Sequence, residues 1–264
     1  QALNEATYAY AQQLEEAGRI EEAALQYATL GDYEDAMERA NALTYELAVS
    51  EMERSPESAM SRFEALGDYE DAPEKALECR YALALQRYAD GRYESAMELF
   101  ESLGEYSDAD AQVKRSRYAY AGQLFDAGEF DEAAVQYEAC GAYLNAEDRA
   151  MRSRYEAAAK LEQAGDYAAA ARAFAALGSY EDAKQRVTQN EDSWLKQPYQ
   201  TALLDMDLGD YQSVIEGLED VWDAELPERY ADVRQMYVEA CIARADELLA
   251  QNKPFEALPV LERI

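Results

Sequence analysis

Histidine is absent from the 264 residues. That removes serine–histidine–aspartate triads, cysteine–histidine dyads and imidazole-ligated metals together. Cysteine is scarce. Cys79, Cys140 and Cys241 lie far apart with no Cys-x-x-Cys pair, so neither a zinc ribbon nor a redox motif is written here. An odd thiol count is no basis for a disulfide framework, and buried inert thiols are expected. Basic charge is also short: 24 Lys and Arg face 55 Asp and Glu, a net charge of −31. A nucleic-acid binder needs a basic surface, so that class is excluded. Such acidity serves solubility of a large surface or steering of basic partners. No run approaches the roughly 20 apolar residues of a membrane span, since the Ala-rich stretch 167–177 is short and contains Arg172. No insertion into a membrane is expected. No targeting segment is visible. The chain starts at Gln1, not Met, so removal of an upstream segment is expected. P-loop, dinucleotide-glycine and calcium-loop patterns are missing, and carboxylate pairs are too common to mark a glycosidase-like site. The expectation is a non-enzyme with no catalytic residue, metal site or cofactor.

Glycine numbers only twelve, and its placement is periodic. Gly-x-Tyr-x-[Asp/Asn]-Ala begins at Gly31, Gly67, Gly104, Gly141 and Gly178, at intervals of 36, 37, 37 and 37 residues. A fixed period in this range marks a solenoid of stacked units. A second turn lies inside each unit at Gly18, Gly91, Gly128 and Gly165, then at Gly209. The two turns divide a repeat into a long helix A and a short helix B. Proline shows where the helices start. Ser55-Pro56 is an N-cap followed by a first helical residue, so helix B starts two residues after the Gly18 position. Pro73 places the start of helix A at Asp71, and Asp35-Ala-Met-Glu38 and Asp71-Ala-Pro-Glu74 have the pattern of capping boxes.

Apolar residues recur every three or four positions, as amphipathic helices require. Ala23, Ala59, Ala96, Ala133 and Ala170 share one slot, which predicts close helix contact. Tyr27, Phe63, Phe100, Tyr137 and Phe174 share another, the expected aromatic core. Tyr33, Tyr69, Tyr106, Tyr143 and Tyr180 are expected to plug the gaps between repeats. Cys140 occupies a leucine position, and Cys79 the small-residue position of Ser116 and Ser153.

Ala121, Leu124, Gly128, Phe130, Ala133 and Tyr137 together resemble the tetratricopeptide repeat family, whose pattern pairs a small residue and Leu on helix A with Gly-x-Tyr-x-x-Ala and an aromatic on helix B. The resemblance recurs over almost the whole chain. It implies an all-α, right-handed solenoid of antiparallel helix pairs, about seven repeats long. The period of 37 exceeds the family's usual value of about 34, and a Gly-x-Tyr-x-Asp link replaces the family's proline at the end of helix B. Long bacterial variants with this Leu-Gly-x-Tyr-x-Asp pattern are most similar. Many of them are uncharacterised surface or membrane-anchored proteins, so the resemblance leans to a location outside the cytoplasm.

Regularity holds over residues 1–183. Residues 184–227 form an irregular repeat with an insertion and a linker, the extra residues falling in Val187–Trp194, where Pro198 is expected to break or kink the helix. Residues 228–264 form a last helix pair with no polar helix covering it, although terminal repeats normally need a polar cap. Either the array continues beyond it, or this end meets another surface, self-association included.

Two rows of side chains are candidate partner-binding residues. Tyr8, Tyr81, Tyr118 and Tyr155 stand ten residues before the helix-B turn, with Tyr45 and Tyr199 in the matching slots. The family resemblance implies that this ladder lines a concave wall built by the A helices. Tyrosine offers broad contact area and one hydroxyl, suited to peptide or glycan recognition; packing of adjacent A helices is the alternative. Arg80, Arg117 and Arg154 follow the same register, with Arg115 and Arg152 as a second row. They serve carboxylate or phosphate recognition, or pair with acids of the neighbouring repeat. The expected function is a protein–protein interaction scaffold on the helix-A face, with a glycan-binding surface protein and a structural spacer as alternatives.

Overall fold

Two turns per repeat cut a helix-forming sequence into a long and a short helix. The computed structural model describes all 264 residues and holds fourteen α-helices and one short 3-10 turn, together 75% of the chain, and no strand. Consecutive helices pack in pairs. The chain divides into two compact units, Gln1–Glu147 and Asp148–Ile264.

The first unit contains α1 (Ala2–Glu16), α2 (Ile20–Ala28), α3 (Ala36–Glu51), α4 (Pro56–Leu66), α5 (Ala72–Ala89), α6 (Tyr93–Ser102), α7 (Ala109–Asp126) and α8 (Phe130–Ala139). Odd numbers are A helices and even numbers are B helices. Gly18, Gly91 and Gly128 have φ of 72°, 75° and 80°, a left-handed conformation that stops helix A without a Cβ penalty. Each link between repeats uses two left-handed residues, and the second is not glycine: Glu34, Glu70, Ser107 and Leu144 have φ between 46° and 53°.

The shared slots form the core. Ala23, Ala59, Ala96 and Ala133 have no exposed surface, and Tyr27, Phe63, Phe100 and Tyr137 are at most 1% exposed. Alanine lets the paired helices approach, and the ring behind it fills the space. Burying one such ring contributes about 1.5–3 kcal/mol. Cys79 and Ser116 share one buried slot, and Cys140 is buried in its leucine position. All three cysteines are free and buried.

The second unit contains nearly all of α9 (Ala146–Gln163), then α10 (Tyr167–Ala176), α11 (Ala183–Leu208), α12 (Tyr211–Leu218), a 3-10 turn at Glu228–Tyr230, α13 (Val233–Ala250) and α14 (Pro254–Leu261). Gly165 to Gly209 spans 44 residues, seven more than the usual interval. Seven residues make close to two helical turns, so the insertion lengthens α11 while keeping its buried face in phase: Ala183, Asn190, Leu195 and Ala202. Of the break or kink expected at Pro198, the break does not occur: α11 runs through it. Leu195 and Ala202, on either side, are buried in one cluster with Val214, Ile215, Leu218 and Tyr237. That packing outweighs the roughly 3 kcal/mol an interior proline costs. Trp222 stacks on Tyr237 with ring centroids 4.7 Å apart.

The aspartates do precede the A helices, but the capping boxes do not form. Asp35, Asp71, Asp108 and Asp182 occupy the N-cap without a side-chain capping bond. Their carboxylates are used elsewhere, as described next. Among the B helices, Asp166 and Asp210 do cap, accepting from the backbone N–H of Ala169 and Ser213. No helix is long and apolar enough to cross a membrane.

Candidate functional site

The tyrosine ladder and the N-cap aspartates are halves of one device. The Tyr8 hydroxyl donates to Asp35, Tyr81 to Asp108 and Tyr155 to Asp182. Tyr45 donates to Asp71 at 2.5 Å, Tyr118 to Asn145 at 2.5 Å and Tyr199 to Asp232 at 2.9 Å. Each rung joins an A helix to the start of the next A helix. From Tyr8 to Tyr155 the rings are each held between two others, and Tyr199 against Tyr230 alone: Tyr8 lies 5.4 Å from Tyr27 and 6.0 Å from Tyr33, and Tyr45 lies 5.6 Å from Phe63 and 6.1 Å from Tyr69. Tyr81, Tyr118 and Tyr155 repeat the arrangement.

Electrostatics follow from that geometry. The bond to Asp35 and partial burial push the Tyr8 hydroxyl above its ordinary pKa, and Asp108 does the same to Tyr81. Asp182 pushes Tyr155 up to about 12. The reciprocal effect holds Asp35, Asp108 and Asp182 below the usual carboxylate range. In two repeats an arginine closes the rung. Arg39 pairs with Asp35 at 2.9 Å and Glu15 at 3.2 Å, and its guanidinium lies 5.8 Å from the Tyr27 ring. Arg186 pairs with Glu162 at 2.6 Å and lies 5.4 Å from the Tyr155 ring.

The arginine rows are engaged as well. Arg80 bonds Glu64, and Arg117 bonds Glu101 at 2.5 Å, in each case a carboxylate on the preceding B helix. Arg115 lies over the Tyr88 ring at 4.3 Å. Arg152 and Arg154 occupy the same register in α9 and also have interaction partners. The structure therefore brings the tyrosines, Arg80, Arg115 and Arg117 into the joints between helices. It also supplies partners that sequence reasoning missed, namely the link aspartates and Glu64 and Glu101. The constant separation of 26 or 27 residues between each tyrosine up to Tyr155 and its Asp or Asn was the available signal.

Three features remain open to solvent, wholly or in part. In the first unit, a cavity of about 500 Å³ is lined by Arg54, Ser55, Ser58, Arg87 and neighbours. Beside the ladder, the A helices present a stripe at the first, fourth and fifth positions after each tyrosine. It comprises Ala9, Gln12 and Gln13 on α1, Glu46, Val49 and Ser50 on α3, Ala82, Leu85 and Gln86 on α5, all exposed, and on α7 the half-buried Ala119 and Gly122 with Gln123, whose Nε2 donates to the Gly91 carbonyl at 2.8 Å. In the second unit, a cavity of about 400 Å³ is lined by Arg172, Glu191, Trp194 and residues 224–227.

Compared with protein-family models and with curated proteins, the chain finds no match in either.

Proposed function

We propose that this chain is a tetratricopeptide-like, right-handed helical-repeat scaffold that binds an extended peptide or partner segment along its A helices, and that it is not an enzyme. The observation carrying this reading is the stripe of α1, α3, α5 and α7. In a chain of net charge −31, Glu46 is its one charged member. Most of its side chains are small or amides. Small side chains let a partner backbone approach closely, and glutamine offers both a donor and an acceptor to that backbone. The ladder tyrosines and the arginines support the stripe from beneath by fixing helix spacing, which preorganises it. A glycan reading would need ladder rings free to rearrange against a sugar, and from Tyr8 to Tyr155 each ring is already packed against two neighbouring rings with its hydroxyl bonded. Peptide display against the chain, followed by Ala82→Glu and Leu85→Glu, tests the proposal. Selected peptides are expected to bind both variants at least about tenfold more weakly, the scale of a charge forced against an interface. Equal binding to parent and variants refutes the helix-A stripe as the contact surface.

A further inference from the structure

Six residues after each ladder tyrosine the A helix carries a core-facing position. Leu14, Leu124 and Leu161 occupy it in three repeats, and Leu14 and Leu124 are 3% and 8% exposed. Glu51 and Arg87 occupy it in the two repeats between them. Two further departures lie close by. Arg54 stands two residues before the first residue of helix B, where this unit's other repeats carry the turn glycines Gly18, Gly91 and Gly128. Ser55 and Pro56 replace the residues that follow. Arg54, Ser55, Pro56 and Arg87 line the same open cavity of about 500 Å³, together with one carboxylate, Glu57.

A charge in a leucine slot costs desolvation unless it is paired. Glu51 is well paired: Ser58 Oγ donates to it at 2.7 Å and Arg62 Nε at 3.0 Å, and Arg62 also reaches Glu21 at 2.7 Å. Arg87 is not. Its one carboxylate partner is Glu57 at 3.0 Å, whose side chain is 67% exposed. A pair exposed to that degree contributes little, and the carboxylate is free to swing into water. Arg54 has no ion pair at all in a chain with a large excess of carboxylates. The Ser55 side chain makes no capping bond.

We propose that this cavity binds a tetrahedral oxyanion, a phosphate or sulfate group, between the guanidinium groups of Arg54 and Arg87, with Ser55 as a further donor. The donor number selects the ligand. One guanidinium satisfies the two oxygens of a carboxylate, whereas two guanidinium groups and a hydroxyl match the three or four oxygens of a tetrahedral anion. Glu57 gives up Arg87 as the anion enters. An adjoining cavity of about 400 Å³ shares Arg54, Pro56 and Gln86 and is further lined by Met52, Ala82, Glu53 and Glu78, which leaves room for the uncharged organic part of a monoester but not for a second anionic group. The cavities border the A-helix stripe at Ala82 and Gln86, but the oxyanion donors Arg54, Ser55 and Arg87 are not stripe residues, so anion binding is read without any peptide present.

The test titrates residues 1–264 with orthophosphate, phenyl phosphate, sulfate and acetate, observing arginine Nε–H resonances and heats of binding. Arg87→Leu restores the leucine of the repeat, and Arg54→Gln changes an exposed residue, so both fold. Phosphate and sulfate are expected to shift the Arg54 and Arg87 resonances, with acetate at least about tenfold weaker and each variant losing about tenfold or more in phosphate affinity. Tighter binding of phenyl phosphate than of orthophosphate marks an ester as the occupant, and equal binding marks the free anion. Phosphate affinity unchanged in both variants, acetate binding as tightly as phosphate, or no response of either arginine would overturn the assignment.

Discussion

Leu144 offers a direct test of how the links are built. It is a long aliphatic residue at φ 50°, and it is 72% exposed. An ordinary L-residue in the left-handed region costs about 1–2 kcal/mol, and asparagine much less because its short polar side chain tolerates that conformation. Replacing Leu144 with asparagine gives up the small part of the side chain that is buried, about 0.5 kcal/mol. The expected balance is a gain of about 0.5–1 kcal/mol. Glycine recovers the same strain but adds unfolded-state entropy, so Leu144→Gly is expected near zero. Leu144→Ala keeps the Cβ and therefore the strain, and should gain nothing. Ser107, at φ 53°, permits the same neutral exchange one repeat earlier. The two sites share no partner, so the double variant is expected to add to about 1–2 kcal/mol. Urea denaturation followed by circular dichroism reads this as a higher midpoint at unchanged slope. If alanine stabilises as much as asparagine at Leu144, or if asparagine stabilises at neither site, the left-handed link is not where the strain resides.

Alkali should loosen the ladder. Tyr155 titrates at about 12 in the fold, held there by Asp182, and Tyr27 at about 12 through burial and Glu15. A raised tyrosine pKa means the folded state keeps its proton longer. The stability it contributes is complete below about pH 10, the ordinary value, and is lost as pH rises through about 12; ultraviolet titration of phenolate should lag behind that of the urea-denatured chain. Acid acts on the other half of each rung. Asp35, Asp108 and Asp182 lie below their ordinary 3.8 through the tyrosine bonds, so their contribution is complete above about pH 4 and falls as pH drops through the lowered values. Melting temperature should decline along that window, and Tyr81→Phe should flatten the decline. Phe100→Ala, at a ring 1% exposed, should cost about 3–5 kcal/mol, against less than about 1.5 kcal/mol for Phe100→Leu, both measured by urea denaturation.

Much of the fold was legible because each repeat restates it. The alanine slot and the aromatic slot were visible as columns in the sequence, and they are the buried contacts. The helix starts were legible from Pro56 and Pro73, whose missing N–H is tolerated only in a first turn. What the aspartates do was not legible. A carboxylate before a helix is ordinarily a cap, and only the geometry shows a tyrosine hydroxyl arriving from the previous A helix to claim it. Left-handed residues such as Glu34 and Leu144 escaped because nothing in a glutamate or leucine signals positive φ. Pro198 shows the opposite case: local propensity argued for a break or kink, and with Leu195 and Ala202 buried on both sides the helix is not broken. The cavity of Arg54 and Arg87 was visible in principle, since both residues break columns that other repeats keep.

The ladder has a mechanical consequence. Its rungs are couplings in series along the first unit, so tension applied along that series is borne by each in turn and the weakest sets the yield point. Three of the four rungs there end on an aspartate, whereas Tyr118 ends on the neutral amide of Asn145. A hydrogen bond to a neutral acceptor is roughly half as strong as one to a carboxylate. Under load the Tyr118 rung is therefore the one to part first, and a single atom exchange, Asn145→Asp, would even out the spring.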